Sequence, residues 1–256
     1  MTIPPPLPQL DLPSLRKKAH KPRRRVLVLF DADAAFAAAI ARPMVVVSLV
    51  VAGLFAVLPP AAFLYSAQRG SGIDAVLRDE LSKSGRLDNI SADQREQLLP
   101  KRVRATTVAL PLLAIAKRGF GLLLVAAVCF LFLQGTRPQL TLARAVAVVV
   151  VGAAPLYVHD VIAASTYLVF DLHSIDPKNP VASNPSAWWF SGPDTRAPLA
   201  IFLRGLDFFE LWACALMAMG LMAAAGGRTR LPLVVVFGTH LAVMGAGAAA
   251  ATSAAH

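Results

Sequence analysis

Between Arg42 and Arg69 the chain runs for about 26 residues without a single charged side chain. As a helix that stretch is about 39 Å long, more than the roughly 30 Å of a bilayer's hydrocarbon core. In water such a rod would need cover on every side. In lipid it needs none, because a helix satisfies its backbone hydrogen bonds internally. Further apolar runs follow downstream, and the composition agrees with a membrane setting. A soluble domain carries roughly 25% charged residues; this chain has 16%, with 56% hydrophobic residues and a mean hydropathy of +0.59. The expected fold class is all-α: a polytopic transmembrane helical bundle of five spans, with short amphipathic helices in an outward loop.

The spans are expected at about 44–65, 119–134, 142–170, 199–225 and 231–251. Residues 1–25 hold Pro4-Pro5-Pro6 and the basic cluster Arg16, Lys17, Lys18, Lys21, Arg23, Arg24 and Arg25. They read as a disordered cytoplasmic tail, leaving 26–256 as one membrane domain. A cleavable signal peptide is not evident, since the first long apolar run begins near Met44, too deep in the chain for one. Residues 26–42 read as an amphipathic helix lying in the interface. Pro59-Pro60 should kink the first span or end its regular helix.

The polar stretch 68–105 has eight Lys/Arg against six Asp/Glu, so it is nearly charge-balanced. It suggests two short amphipathic helices, over 73–83 and 91–99, with Ser91 and Gln94 as a capping box. Residues 106–116 are apolar but too short to span. Lys117-Arg118 interrupt them, so they read as a half-buried lead-in to a short second span. A second outward loop, 171–197, carries Trp188-Trp189, which fit an interfacial belt. In the fifth span Gly238, Ala242, Gly245, Ala246 and Ala249 form a small-residue face suited to close helix approach.

The net charge is +10, and half of the excess precedes the first span. An apolar chain with a basic end orients by the positive-inside rule, so membrane lipids rather than nucleic acid are the expected partner. Arg137, Arg144, Arg228 and Arg230 then fall on the cytoplasmic side, and Lys117-Arg118 fall on the wrong one. Cys129 and Cys214 lie in apolar segments without metal-ligand spacing, as small packing residues.

Two places could carry chemistry. Arg204, Asp207 and Glu210 stand at three-residue steps on one helix flank, beside Trp212 and two phenylalanines. Arg204 and Asp207 can pair across a turn, which leaves Glu210 in need of a partner. An ionisable group within a span is costly enough to be a functional candidate, although a bracing role at the headgroup boundary competes with that reading. His159 and Asp160, after Pro155 in the third span, could meet this patch. No zinc-type spacing links His159, Asp160, Asp207, Glu210 and His240, so no metal and no cofactor is expected. No P-loop, dinucleotide fingerprint or nucleophile elbow is present, and no catalytic residue is assigned.

The run Phe36-Ala-Ala-Ala-Ile40-Ala-Arg-Pro43 resembles the lead into the first span of the Yip domain family, the five-span proteins named for interacting with Ypt/Rab GTPases. Leu206-Asp207-Phe208-Phe209-Glu210-Leu211-Trp212, followed by Leu216-Met-Ala-Met-Gly220-Leu221, is similar to the fourth span of bacterial members. The resemblance covers about residues 30–252. It implies a five-helix bundle in the inner membrane, with a cytoplasmic N-terminus and an outward C-terminus. The alanine-rich spans and the long 68–105 insertion depart from eukaryotic members and point to a bacterial one. Some of those look like accessory partners of ABC-type efflux assemblies. The expectation is therefore a non-enzymatic accessory or scaffold subunit, as a homo- or hetero-oligomer with other membrane proteins. The alternative is a small oligomeric transporter or channel using Asp160, Asp207 and Glu210.

Overall fold

The computed structural model describes residues 31–70, 72–83, 92–134, 140–176, 179–189, 198–227 and 230–253. The basic tail, the Ser91 capping box and the belt role of the Trp188 and Trp189 rings fall outside what is described. Among the described residues ten α-helices follow in order: α1 (Ala32–Ala41), α2 (Val45–Arg69), α3 (Ile73–Lys83), α4 (Ala92–Gln134), α5 (Leu142–Gly152), α6 (Ala154–Val169), α7 (Ser186–Trp189), α8 (Pro198–Arg204), α9 (Phe208–Ala224) and α10 (Leu231–Ser253). No strand occurs among the described residues.

The axis of the bundle is α5. Residues 145–150 are buried without interruption, the mark of a helix that is apolar all round and enclosed by others. Packed around it are α1, α2, α4 and α9, while α10 bridges α4 and α9, and α6 bridges α2 and α9. Further out the surface stays apolar. Val46, Leu54, Leu112, Leu113, Phe120 and Val234 are all exposed.

 Their relative exposures run from 60% at Leu112 to 74% at Val46. In the most apolar window of α2, of α4 and of α10 only 17% of residues are buried. Water would not tolerate so much bare apolar surface, whereas lipid solvates it. The chain is a helical membrane protein. Among the described residues three helices are long and apolar enough to cross a bilayer: Val45–Arg69, Gln97–Gln134 and Leu231–Ala250. The count rises to five if α5 with α6, bent by 42°, and α8 with α9, bent by 53°, each make one span.

Several expectations are corrected here. Residues 92–99 are not a separate short helix, and 106–116 are not a lead-in. Both belong to α4, one helix of 43 residues, about 65 Å long and roughly twice the hydrocarbon thickness. The helix Ile73–Lys83 is present; it buries Ile73 and packs on α4 and α2. Pro59 and Pro60 do not end α2, which continues to Arg69. The segment before the first span places Phe36 in the main core, against α5 and α9, so α1 is part of the bundle.

The small face of α10 does not serve packing within the protomer either. A methyl group added at Gly238 or Gly245 would meet nothing within 4 Å. Close approach occurs at other glycines. At Gly152 an added Cβ would stand 2.7 Å from the backbone of Met217, and at Gly220 it would stand 2.5 Å from the Phe36 ring. These two glycines let α5, α9 and α1 close on one another, the use small residues have in helix contacts formed without water exclusion.

Candidate functional site

The relative heights of the helices follow from their contacts. Phe55 lies midway along the charge-free part of α2, and its ring stacks on Tyr157 of α6 at 5.1 Å. α9 runs antiparallel to α5 and α6: Gly220 lies against Val148, Gly152 against Met217, and Phe209 against His159. Residues near 157–160 of α6 and near 209–210 of α9 therefore share the middle level of the bundle.

At this level stands an ion pair. Arg118 Nη2 donates to both carboxylate oxygens of Asp160, each at 2.9 Å. The Asp160 side chain is 6% exposed and that of Arg118 18%, so both are largely withdrawn from solvent. Arg118 Nη1 is buried with no hydrogen-bond partner among the described residues. Sequence reasoning treated Lys117-Arg118 only as a flaw in the charge pattern; the structure makes Arg118 the partner of Asp160. The available signal was the adjacent cations Lys117 and Arg118 in one otherwise apolar run and the anion Asp160 in another. None is stable in hydrocarbon alone, at about 2.5–3.5 kcal/mol each on insertion scales, so pairing is the economical arrangement. Lys117 itself is exposed.

The second patch is rearranged relative to the expectation. Arg204, Asp207 and Glu210 do not share a helix flank, because the helix breaks between α8 and α9. Asp207 is the N-cap of α9, where its carboxylate accepts from the N–H of Phe209 at 2.8 Å and of Glu210 at 3.4 Å. A short-chain acceptor with extended backbone at this position satisfies N–H groups that no earlier turn can reach. The Ser183 hydroxyl donates to the other oxygen of Asp207, and the Phe208 N–H donates to the Ser183 carbonyl at 3.1 Å. Asp207 therefore ties the 179–187 loop to the start of α9. Arg204 faces Asp176 at 3.8 Å instead of pairing with Asp207.

The two patches do touch. His159 packs edge-on against Phe209, with ring centroids 5.5 Å apart. Phe208 leans on Trp212, which is 44% exposed on the apolar surface. Glu210 is exposed and forms no ion pair among the described residues. His240 reaches across from α10, its Nε2 lying 3.0 Å from the Gly205 carbonyl oxygen, to which it donates as the Nε2–H tautomer. At the other break, the Tyr157 hydroxyl donates to the Val150 carbonyl at 2.8 Å. Pro155 has no N–H to offer the Val151 carbonyl, which interrupts the helix there, and the tyrosine adds a donor to the carbonyl one residue earlier, beside the Ala153 N–H.

Among the described residues no group of three or more His, Cys, Asp or Glu could hold a metal ion. The chain matches no protein-family model, no curated protein and no solved structure.

Proposed function

We propose that this chain is a non-enzymatic, five-span membrane protein of the Yip type, acting as an accessory or scaffold subunit of a bacterial inner-membrane assembly. In this reading each bent helix pair is one span, the N-terminus is cytoplasmic and the C-terminus outward. ABC-type efflux components are the partner class that the fourth-span resemblance suggests. The observation that supports a scaffold is the use made of the ionisable groups at mid-height. Arg118 is committed to Asp160, and Asp207 to the start of α9. Groups held in this way brace helices against one another rather than meeting a solute. The tagged full-length protein, solubilised from its native membrane, is expected to bring down a constant set of membrane proteins. Recovery of the chain alone would remove the scaffold reading.

One observation favours the second reading, a small oligomeric transporter or channel using Asp160, Asp207 and Glu210. Glu210 is exposed although Ala213, Cys214 and Met217, at helical spacing below it, are buried. Purified protein in liposomes tests this reading. Robust solute uptake that Glu210→Gln abolishes would replace the scaffold by a transporter.

A further inference from the structure

Two ionisable side chains at the middle level of the bundle have no partner of opposite charge among the described residues. Lys117 precedes Arg118, whose guanidinium reaches Asp160, and it is exposed on α4. Glu210 follows Phe209, whose ring meets His159, and it is exposed on α9. Neither forms an ion pair among the described residues. Snorkelling does not rescue Lys117: about 13 residues of helix, roughly 20 Å, separate it from Arg104, several times the reach of a lysine stem. Two charges of opposite sign are thus left at one depth, on helices between which α5 and α10 stand, each packed against both.

We propose that a second copy of this chain supplies the missing partner, Lys117 of one protomer pairing with Glu210 of the next. Copies with the same orientation in a bilayer are related by rotation about the membrane normal, which leaves every residue at its own depth. A group at mid-height can therefore meet only groups at mid-height on its neighbour, and Glu210 is the complement to Lys117 at that level. The interface joins two different patches, so it is heterologous, and it forms a ring where the rotation between copies closes.

The shape of the surface agrees. Glu210 lies on the stripe of α9 that packs into the core at Ala213, Cys214, Met217 and Leu221. α5, which covers that stripe lower down, ends at Gly152, opposite Met217. Above that level Glu210 is exposed although the residues below it on the same stripe are buried, so its carboxylate is accessible to a lysine of a neighbouring copy. Beside it, α10 presents Gly238 and Gly245 to open space, and small residues of this kind let a neighbouring helix approach closely.

The experiment uses full-length protein in liposomes, in two populations carrying different fluorophores on the N-terminal tail. Energy transfer is followed as lipid is added. The wild type is expected to associate, and Lys117→Glu or Glu210→Lys alone to weaken association at least about threefold, the scale of one interhelical polar contact in a membrane. Mixing the two single variants is expected to restore it, since each junction of an alternating ring then pairs opposite charges. Rescue only when both changes are in one chain would place the pair within a protomer and overturn the proposal. So would a wild type that shows no transfer.

Because a charge reversal can impair folding, cysteine cross-linking provides a second measurement. Lys117→Cys in one copy and Glu210→Cys in the other are expected to form a mixed disulfide dimer, with neither variant linking to itself. Absence of the mixed product, or self-linking of either variant, would likewise overturn it. No partner protein is present in either measurement, so the outcome is independent of the scaffold reading.

Discussion

Asp160→Ala removes the carboxylate from the ion pair and leaves Arg118 buried without a counter-charge. Breaking a buried pair from one side costs about 3–5 kcal/mol, most of it the penalty of the charge left behind. Asp160 is 6% exposed and Arg118 18%, well below the exposure at which solvent screening would demand a heavy discount. Arg118 can still turn its guanidinium toward the gap through which it is exposed, so the lower end, about 3 kcal/mol, is the expected cost. That is more than a hundredfold in the unfolding equilibrium. Asp160→Asn keeps the volume and tests the charge alone; it should recover little of the loss. Replacing both partners by leucine should cost far less than the single change, because no charge is stranded. The assay is the unfolding midpoint in an SDS titration of protein in mild detergent, followed by tryptophan fluorescence. A cost for Asp160→Ala below about 1 kcal/mol, the range of exposed pairs, would refute the reasoning. A double variant as unstable as the sum of its singles would do the same.

Asp207→Ala removes the acceptor for the Phe209 and Glu210 N–H groups and for Ser183. It is expected to cost about 1–2 kcal/mol in detergent stability, while Asp207→Asn, which still caps, costs only a few tenths. Equal losses in a thermal-shift assay would argue against capping as its role. Gly220→Ala drives a methyl into the Phe36 ring and Val148, an overpacking of about 1–3 kcal/mol that Phe36→Leu should relieve. Gly152→Ala meets the backbone of Met217 instead, so trimming a side chain should not rescue it. The two pairs of variants are compared by melting temperature.

The apolar runs were legible in the sequence because lipid exposure requires them to be long and uncharged. Four of the five expected spans coincide with described helices or bent pairs to within a few residues. The second span was read too short for a physical reason. Lys117-Arg118 look like a boundary when each charge is scored alone, yet a boundary is needed only if the charge must reach water. Arg118 reaches Asp160 instead, and no local rule reveals a partner 42 residues away. The same limit explains the fourth span. Three-residue spacing places Arg204, Asp207 and Glu210 on one flank only if the helix is continuous. Gly205 and the capping preference of Asp207 were the sequence signs that it is not.

The breaks and the polar layer belong together. A bent span frees backbone groups that lipid cannot satisfy, so each break requires a donor or acceptor from elsewhere in the protein. The Val150 carbonyl takes Tyr157, the Gly205 carbonyl takes His240, and the Phe208 N–H takes the Ser183 carbonyl. Tyr157 is three residues from Asp160, and Asp207 is three from Glu210. The groups that repair the breaks are therefore placed among the groups that carry charge. In such a setting Lys117 and Glu210, exposed and without an ion-pair partner among the described residues, are not surface residues of the ordinary kind. The neighbouring carboxylates Asp160 and Asp207 are each engaged by other residues of the protomer, and the proposed second copy would do the same for Lys117 and Glu210.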